Sequence, residues 1–209
     1  MSDENEWVRI TRADPNHSNW YIERFRSMAE EGNDLAGEAR LIDALVPRGA
    51  RVLDAGCGPG RVGAFLHAAG HEVVGVDIDP ELIDAAEQDH PGPRWLVDDL
   101  ATLDLPSRGV PDGFDAIVCA GNVMTFLAPS TRGEVVARLR AHLQEDGRAV
   151  VGFGTNRGYA VDEFLGQAAT AGLVPDLLLS TWDLRPYAPG ADFIVAILRK
   201  DEPASGSAS

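Results

Sequence analysis

The stretch VLDAGCGPG, residues 52–60, decides how this chain folds. It begins with apolar residues that suit a buried strand and continues into glycines at positions 56, 58 and 60. Glycine tolerates positive φ, and because it has no Cβ it lets a ligand approach the backbone closely. An apolar spacing typical of a helix follows over residues 61–69, and Gly70 is placed for its C-cap. The sequence therefore predicts a strand, a glycine loop and a helix that together hold a nucleotide-like cofactor.

The overall composition is that of one folded domain. At 209 residues the chain has the length of a single α/β domain with a sizeable core. It shows neither an apolar run long enough to cross a bilayer nor a leader segment, so we expect a cytoplasmic protein without a membrane partner. The two cysteines and five histidines lack metal-ligand spacing. We therefore expect no metal site, and free thiols at Cys57 and Cys119.

The charge of the chain argues against a nucleic-acid substrate. Phosphate backbones are bound through Lys and Arg, and this chain has 18 of these against 33 acidic residues, a net charge of −15. The acids are typical of a solvated surface and say little about the charge of a substrate. We expect a small-molecule partner and no nucleic acid, and the sequence leaves the oligomeric state open.

Short apolar runs alternate with helical patterns along the rest of the chain. After the glycine loop, the predicted strands cover residues 71–77, 94–97, 114–120, 148–153, 173–179 and 193–198. Asp77 ends the first of these strands, 21 positions beyond Gly56, the separation at which a carboxylate reaches a ribose. The last two strands are joined by turn residues at Pro189-Gly190, which predicts a hairpin. The fold class is therefore α/β: a doubly wound, mostly parallel, seven-stranded Rossmann-like sheet with a C-terminal antiparallel hairpin.

Two local signals predict boundaries near the fifth strand. Thr131 and Glu134 have the spacing of a capping box, which predicts a helix from there through Leu143. Asp146-Gly147 is typical of a turn, which predicts that the fifth strand begins after it.

The N-terminal region precedes the alternating strands and helices. Residues 1–13 are polar and are expected to be loosely ordered. A helix is predicted over residues 16–31, with an aromatic face formed by Trp20, Tyr21 and Phe25, and another over 34–46. We divide the chain into an N-terminal segment with a candidate lid helix (1–33), a main domain (34–200) and a disordered tail (201–209). The alternative for the aromatic helix is permanent packing against the sheet edge.

The opening stretch also carries a family resemblance. Residues 54–60 have the form D-x-G-x-G-x-G, which resembles motif I of the class I S-adenosylmethionine-dependent methyltransferases. Seven strands with a final hairpin, over about residues 40–199, are similar to their arrangement. The resemblance implies S-adenosyl-L-methionine as the cofactor bound by residues 34–200. The dinucleotide fingerprint G-x-G-x-x-G fits only one step later, from Gly58 to Gly63, and leaves a nicotinamide-dependent oxidoreductase as an alternative.

The resemblance further implies which residues contact the cofactor. The glycine loop would face the methionine moiety, Asp77 the ribose, and an acid after the third strand the adenine, where Asp99 fits better than Asp98. The carbonyl of Ala120 or Gly121 would accept from the ammonium group. The expected cofactor-binding residues are Asp54, Gly56, Cys57, Gly58, Gly60, Asp77, Ile78, Asp98, Asp99, Leu100, Ala120 and Gly121.

The sequence gives less information about the methyl acceptor than about the cofactor. A methyl group on a sulfonium is already activated, so alignment of the nucleophile, worth ~7–11 kcal/mol, can suffice without a dedicated catalytic residue. Residues 121–124 do not match the Asn/Asp-Pro-Pro-aromatic pattern of methyltransferases that act on amino groups of DNA bases. Substrate contacts are expected from His17, the one candidate base, and from Trp20, Tyr21, Asn122 and Tyr187.

These observations favour one function and leave a second open. We expect a methyltransferase that acts on oxygen or nitrogen of a small molecule by in-line transfer. The alternative within the same resemblance is a protein that binds S-adenosylmethionine without catalysing transfer.

Overall fold

The computed structural model describes residues 3–201. Its centre is a seven-stranded sheet with the strand order β3-β2-β1-β4-β5-β7-β6. The strands are β1 (Arg51–Ala55), β2 (Glu72–Asp77), β3 (Arg94–Val97), β4 (Phe114–Cys119), β5 (Leu143–Gly154), β6 (Leu173–Leu179) and β7 (Phe193–Lys200). Strands β1 to β5 pair in parallel, and β7 lies antiparallel between β5 and β6. The predicted fold class is confirmed.

Eight α-helices surround this sheet in the part of the chain that the structure describes. They are α1 (Glu6–Ala13), α2 (His17–Glu30), α3 (Gly37–Leu45), α4 (Arg61–Ala68), α5 (Pro80–Asp89), α6 (Val123–Phe126), α7 (Arg132–His142) and α8 (Val161–Thr170). Among residues 3–201, none of the helices has both the length and the hydrophobicity that a membrane span requires.

Both faces of the sheet are covered, which explains why its central strands are apolar without alternation. Neighbouring residues of β1 point to opposite sides: Leu53 packs in a cluster with side chains of α7 and α8, and Val52 in one with side chains of α3 and α4. Both residues are fully buried. Strand β1 is therefore the centre of the core as well as the start of the glycine loop.

The first helix corrects the expectation that residues 1–13 are loosely ordered. Asn5 caps α1, because its side-chain oxygen accepts hydrogen bonds from the backbone N–H groups of Trp7 and Val8 at 3.0 and 3.3 Å. Trp7 is buried against α2 and α5. A single large apolar residue and a good N-cap thus order a segment whose composition is mostly polar. Residues 1 and 2 lie outside the described part of the chain.

Two predicted boundary signals near β5 were wrong. The side chain of Thr131 does not cap α7, because its hydroxyl donates to the carbonyl of Ala128 at 3.0 Å. Strand β5 begins before Gly147 and runs through it, with a register shift against β4. A Cβ on Gly147 would lie 2.7 Å from the carbonyl oxygen of Phe114, so this glycine permits close strand contact and does not form a turn. The predicted tail, apart from Asp201, lies outside the described residues.

Candidate functional site

The glycine loop after β1 is the floor of the site. Gly56 and Gly58 have φ of +79° and +54°, values that glycine adopts without strain. The N–H groups of Gly56 and Cys57 donate to the carbonyl of Val76 at 2.8 and 3.0 Å, which fixes the loop against β2. Gly60 also has a positive φ, +86°, and it permits close packing, since a Cβ there would lie 3.0 Å from Ala86 and from the ring of Trp95.

Asp54 and Asp77 are buried carboxylates at the ends of β1 and β2. Asp54 accepts a hydrogen bond from the N–H of Gly63 at 2.9 Å, and burial raises the pKa of Asp54 to about 7. One oxygen of Asp77 accepts from the N–H of Gly58 at 2.9 Å and the other from the N–H of Asp79 at 3.0 Å. Burial raises the pKa of Asp77 to about 6. Asp77 therefore holds the glycine loop and keeps lone pairs for a ligand.

The acids after β3 lie in different environments. Asp99 and Leu100 line the cavity described below, and Asp99 accepts a hydrogen bond from the N–H of Ala101 at 2.9 Å. Asp98 instead pairs with the guanidinium of Arg108 at 2.6 Å and does not line the cavity. The structure thus separates two adjacent acids that the sequence could only offer as alternatives.

The loops at the carboxyl ends of β1, β2, β3 and β4 converge on one cavity of about 870 Å³, counting its space open to solvent. Ligand pockets generally have this location in open α/β sheets. Ten of the expected cofactor-binding residues line it: Asp54, Gly56, Cys57, Gly58, Asp77, Ile78, Asp99, Leu100, Ala120 and Gly121. Gly60 and Asp98 are the two expected residues that do not.

Helices α1 and α2 supply a second wall of the cavity. Trp7, Tyr21 and Phe25 line it, and the ring centroids of Trp7 and Tyr21 lie 5.2 Å apart, edge to face. Trp20 points outward with 54% of its surface exposed, and the guanidinium of Arg24 lies 5.7 Å from its ring centre. The aromatic face predicted for this helix is therefore split, because Trp20 and Tyr21 point in different directions.

Of the five expected substrate residues, only Tyr21 lines the cavity. His17 packs between the rings of Trp7 and Trp20. Asn122 accepts a hydrogen bond from the N–H of Gly154 at 2.8 Å, and Tyr187 packs against the main core. The expectation of substrate contacts is therefore corrected for four residues, which lie outside the cavity lining: His17, Trp20, Asn122 and Tyr187.

Sequence reasoning missed part of the lining. The missed residues are Asn5, Trp7, Pro59, Arg61, Val62, Leu82, Val123, Phe126 and Leu127. Phe25, expected on the aromatic face of the candidate lid helix, also lines the cavity. Trp7 was the one detectable signal, as a tryptophan in an otherwise polar segment. The position of α6 could not be found, because its four residues are too few for a periodic pattern.

Arg61 is the charged residue at the edge of the glycine loop. Its two terminal nitrogens donate to the two carboxylate oxygens of Glu38 at 2.8 and 2.7 Å, and one of them also donates to the carbonyl of Leu35. The guanidinium carbon lies 5.5 Å from the ring centre of Phe25. This bidentate pair is mostly buried on both sides, which makes it geometrically specific.

The remaining titratable groups of the lining are a thiol and a phenol. Cys57 lines the cavity and Cys119 is buried in the main core, and both are free thiols. Burial raises the pKa of both thiols, and that of the Tyr21 hydroxyl, so all three are protonated at neutral pH. Among residues 3–201, no three His, Cys, Asp or Glu side chains cluster as metal ligands would.

Comparison with known proteins assigns the fold and site to a family. A family model described as a methyltransferase domain matches residues 52–147. The crystal structure of a TehB-like SAM-dependent methyltransferase from Corynebacterium glutamicum is 48% identical, with a TM-score of 0.85, and the match covers 90% of this chain and 100% of that one. This chain belongs to the class I S-adenosylmethionine-dependent methyltransferases.

Curated relatives are similar over shorter segments. A magnesium-protoporphyrin O-methyltransferase from Rhodobacter capsulatus is 34% identical over 141 residues, which are 64% of this chain and 57% of that protein. An uncharacterised methyltransferase from Mycobacterium tuberculosis is 41% identical over 81 residues, 37% of this chain and 39% of that protein. The chain thus spans less than two thirds of the length of these relatives. Names of other relatives include ribosomal protein L11 and 18S rRNA as acceptors, so the family does not fix the acceptor.

Proposed function

We propose that this protein transfers the methyl group of S-adenosylmethionine to an oxygen or nitrogen atom of a small molecule. The observation that carries the proposal is the cavity itself. It joins the glycine loop, the Asp77 carboxylate and the Asp99-Leu100 segment to a wall of aromatic side chains on α1, α2 and α6. Family membership decides against the nicotinamide-dependent alternative.

The residues of the cavity fit S-adenosylmethionine. Asp77 is a buried acceptor at the end of β2, where ribose hydroxyls need a partner. Gly58 leaves an open approach, because a Cβ there would meet only Tyr21, at 3.7 Å. The carboxylates of Asp54, Asp77 and Asp99 line a cavity whose expected cofactor carries positive sulfonium and ammonium groups. Asp99 and Leu100 would meet the adenine, and the carbonyl of Ala120 or Gly121 the ammonium group.

The protein's contribution to the reaction is placement. The cofactor supplies a methyl group that its sulfonium sulfur has already activated. The cavity walls hold the acceptor in line and exclude water, and such alignment can supply ~7–11 kcal/mol. No histidine lines the cavity in the part of the chain that the structure describes. Because Tyr21 is protonated at neutral pH, it acts as a hydrogen-bond donor that orients the acceptor and does not act as a base.

The net charge of the protein and the walls of the cavity support a small acceptor. With a net charge of −15, the chain is poorly suited to a nucleic-acid backbone. The cavity is walled by side chains on several sides, which suits a compound that can be enclosed.

Incubation with S-adenosylmethionine and a library of hydroxyl- and amine-bearing metabolites tests the proposal, with S-adenosylhomocysteine detected by mass spectrometry. Product that depends on one compound and is lost in Asp77→Ala is the expected result. Cofactor binding without product from any compound would favour the non-catalytic alternative.

A further inference from the structure

One wall of the cavity is formed by side chains of helices and not by the loops at the strand ends. Trp7 of α1, Tyr21 of α2 and Phe126 of α6 line it together. The ring centroid of Trp7 lies 5.8 Å from that of Phe126 and 5.2 Å from that of Tyr21, both edge to face. Aromatic walls of this kind accommodate a flat, apolar ligand, because ring edges and faces make the contacts.

The charges around this cavity are unbalanced. Three acidic side chains line it, those of Asp54, Asp77 and Asp99, and burial raises the pKa of Asp54 to about 7 and that of Asp77 to about 6. Arg61 is the one Lys or Arg side chain among the described lining residues. Arg61 is already satisfied: Glu38 takes both ends of its guanidinium, and the ring of Phe25 lies 5.5 Å from it. An anion in this cavity would meet acidic side chains and an arginine whose charge Glu38 already neutralises.

We propose that the methyl acceptor is a flat, apolar compound without negative charge, such as a phenol or an N-heterocycle, and that Glu38 enforces this choice by neutralising Arg61. The inference rests on the proposed function and names its substrate class. The described lining offers an anionic acceptor no free cationic side chain to compensate for its lost hydration. A neutral hydroxyl or ring nitrogen can use the hydroxyl of Tyr21, a residue of the cavity lining. Glu38 is a positioning residue in this account, because it acts through Arg61.

A matched pair of ring compounds tests the charge rule. Isothermal titration of protein saturated with S-adenosylhomocysteine compares 2-naphthol with 2-naphthoate, which share the ring and differ in charge. We expect 2-naphthol to bind at least about tenfold more tightly than 2-naphthoate, since like charges oppose binding of the carboxylate. In Glu38→Gln, the positive charge of Arg61 is no longer neutralised. The affinity for 2-naphthoate should therefore rise about tenfold, while the affinity for 2-naphthol changes little.

Two further variants separate a specific effect from a general one. Asp34→Asn removes the same charge from the exposed Asp34–Arg40 pair, outside the cavity, and should leave the ratio of the two affinities unchanged. Adding Arg61→Met to Glu38→Gln should abolish the gain of 2-naphthoate, and this double variant remains informative if the single one is less stable.

The outcomes distinguish this inference from the proposed function. If S-adenosylhomocysteine binds but 2-naphthoate binds the unmodified protein as well as 2-naphthol does, the substrate class is wrong and the function stands. The inference also fails if Glu38→Gln behaves like Asp34→Asn, or if neither ring compound binds the loaded protein. Failure of S-adenosylhomocysteine itself to bind would overturn both.

Discussion

The indole Nε1 of Trp7 donates a hydrogen bond to a carboxylate oxygen of Asp79 at 2.8 Å, between residues 72 positions apart in sequence. The same oxygen accepts from the hydroxyl of Ser18 at 2.5 Å, and the other oxygen accepts from the N–H of Glu81 at 2.9 Å at the start of α5. Asp79 thus fastens α1 and α2 to the segment that also carries Asp77. Helices that wall the cavity are attached next to the residue that we expect to bind ribose.

This attachment predicts that ligand binding orders α1 and α2. Because Trp7, Tyr21 and Phe25 line the cavity, a bound cofactor should add contacts to both helices. Hydrogen exchange of backbone amides in residues 6–30 should slow when S-adenosylhomocysteine is added. Helix α8, which contributes no lining residue, is the internal control. Equal exchange of residues 6–30 with and without ligand would favour permanent packing over a lid.

The Asp79 carboxylate should contribute measurably to stability. Asp79→Ala leaves Trp7 Nε1 and the Ser18 hydroxyl buried without an acceptor, and each such group costs ~1–3 kcal/mol. We therefore expect the free energy of unfolding in urea to fall by about 2–6 kcal/mol. Asp84→Ala changes an exposed acid of α5, the helix that Asp79 caps, and should alter stability by less than about 0.5 kcal/mol. Similar values for the two variants would show that Asp79 does not anchor the helices.

The glycine loop allows a matched test of close approach. Gly56 and Gly49 have similar positive φ, +79° and +72°, so alanine causes comparable backbone strain at both. A Cβ at Gly56 would lie 2.3 Å from Val123 Cγ2, whereas nothing lies within 4 Å at Gly49. Gly56→Ala should therefore cost about 1–3 kcal/mol more in thermal unfolding than Gly49→Ala. If the two variants lose the same stability, Val123 of α6 can move away from the added Cβ without cost.

The pKa of Asp77 predicts how binding depends on pH. Its pKa is raised to about 6 in the free protein, and the ribose hydroxyls should bind the ionised form. The affinity for S-adenosylhomocysteine should therefore fall up to about tenfold per pH unit below pH 6 and level off above it. Calorimetry in buffers of different ionisation enthalpy counts the released proton. Asp77→Asn should lack this part of the pH dependence, and an unchanged profile would contradict the assignment.

The raised pKa of Asp77 affects the stability of the free protein in the opposite direction: ligand affinity rises with pH, whereas this contribution to stability falls. A folded pKa above the ordinary value means that the folded state binds the proton more tightly than the unfolded chain. The contributions of Asp77 and Asp54 to stability are therefore lost as the pH rises from about 4 to about 6 and 7, respectively. Ligand should offset the loss that comes from Asp77.

Much of the fold was readable because buried parallel strands leave a strong local signal. Strand β1 has buried residues on both faces and is followed by glycines, and Asp77 ends β2 at a separation set by the length of one strand–loop–helix unit. These features depend on neighbouring residues in the chain. The mostly parallel sheet followed from them, and the end hairpin followed from the turn residues Pro189-Gly190.

The rest depends on contacts between distant segments or on the direction of single side chains. Asp98 and Asp99 are adjacent, and only the path of the chain after β3 shows that Arg108 engages the first. Trp20 and Tyr21 are also adjacent, and the rotation of α2 decides which one lines the cavity. Trp7 joins Asp79 across 72 positions, which no local pattern reveals.

The most direct test of the account is the affinity of Asp77→Ala for S-adenosylhomocysteine by isothermal titration. The unmodified protein should bind one equivalent. The variant should bind at least ~3 kcal/mol more weakly, because two charge-assisted hydrogen bonds to the ribose are lost. Asp84→Ala, an exposed acid of α5, controls for charge, and circular dichroism confirms that each variant is folded. Unchanged affinity in folded Asp77→Ala would contradict the proposed cofactor site.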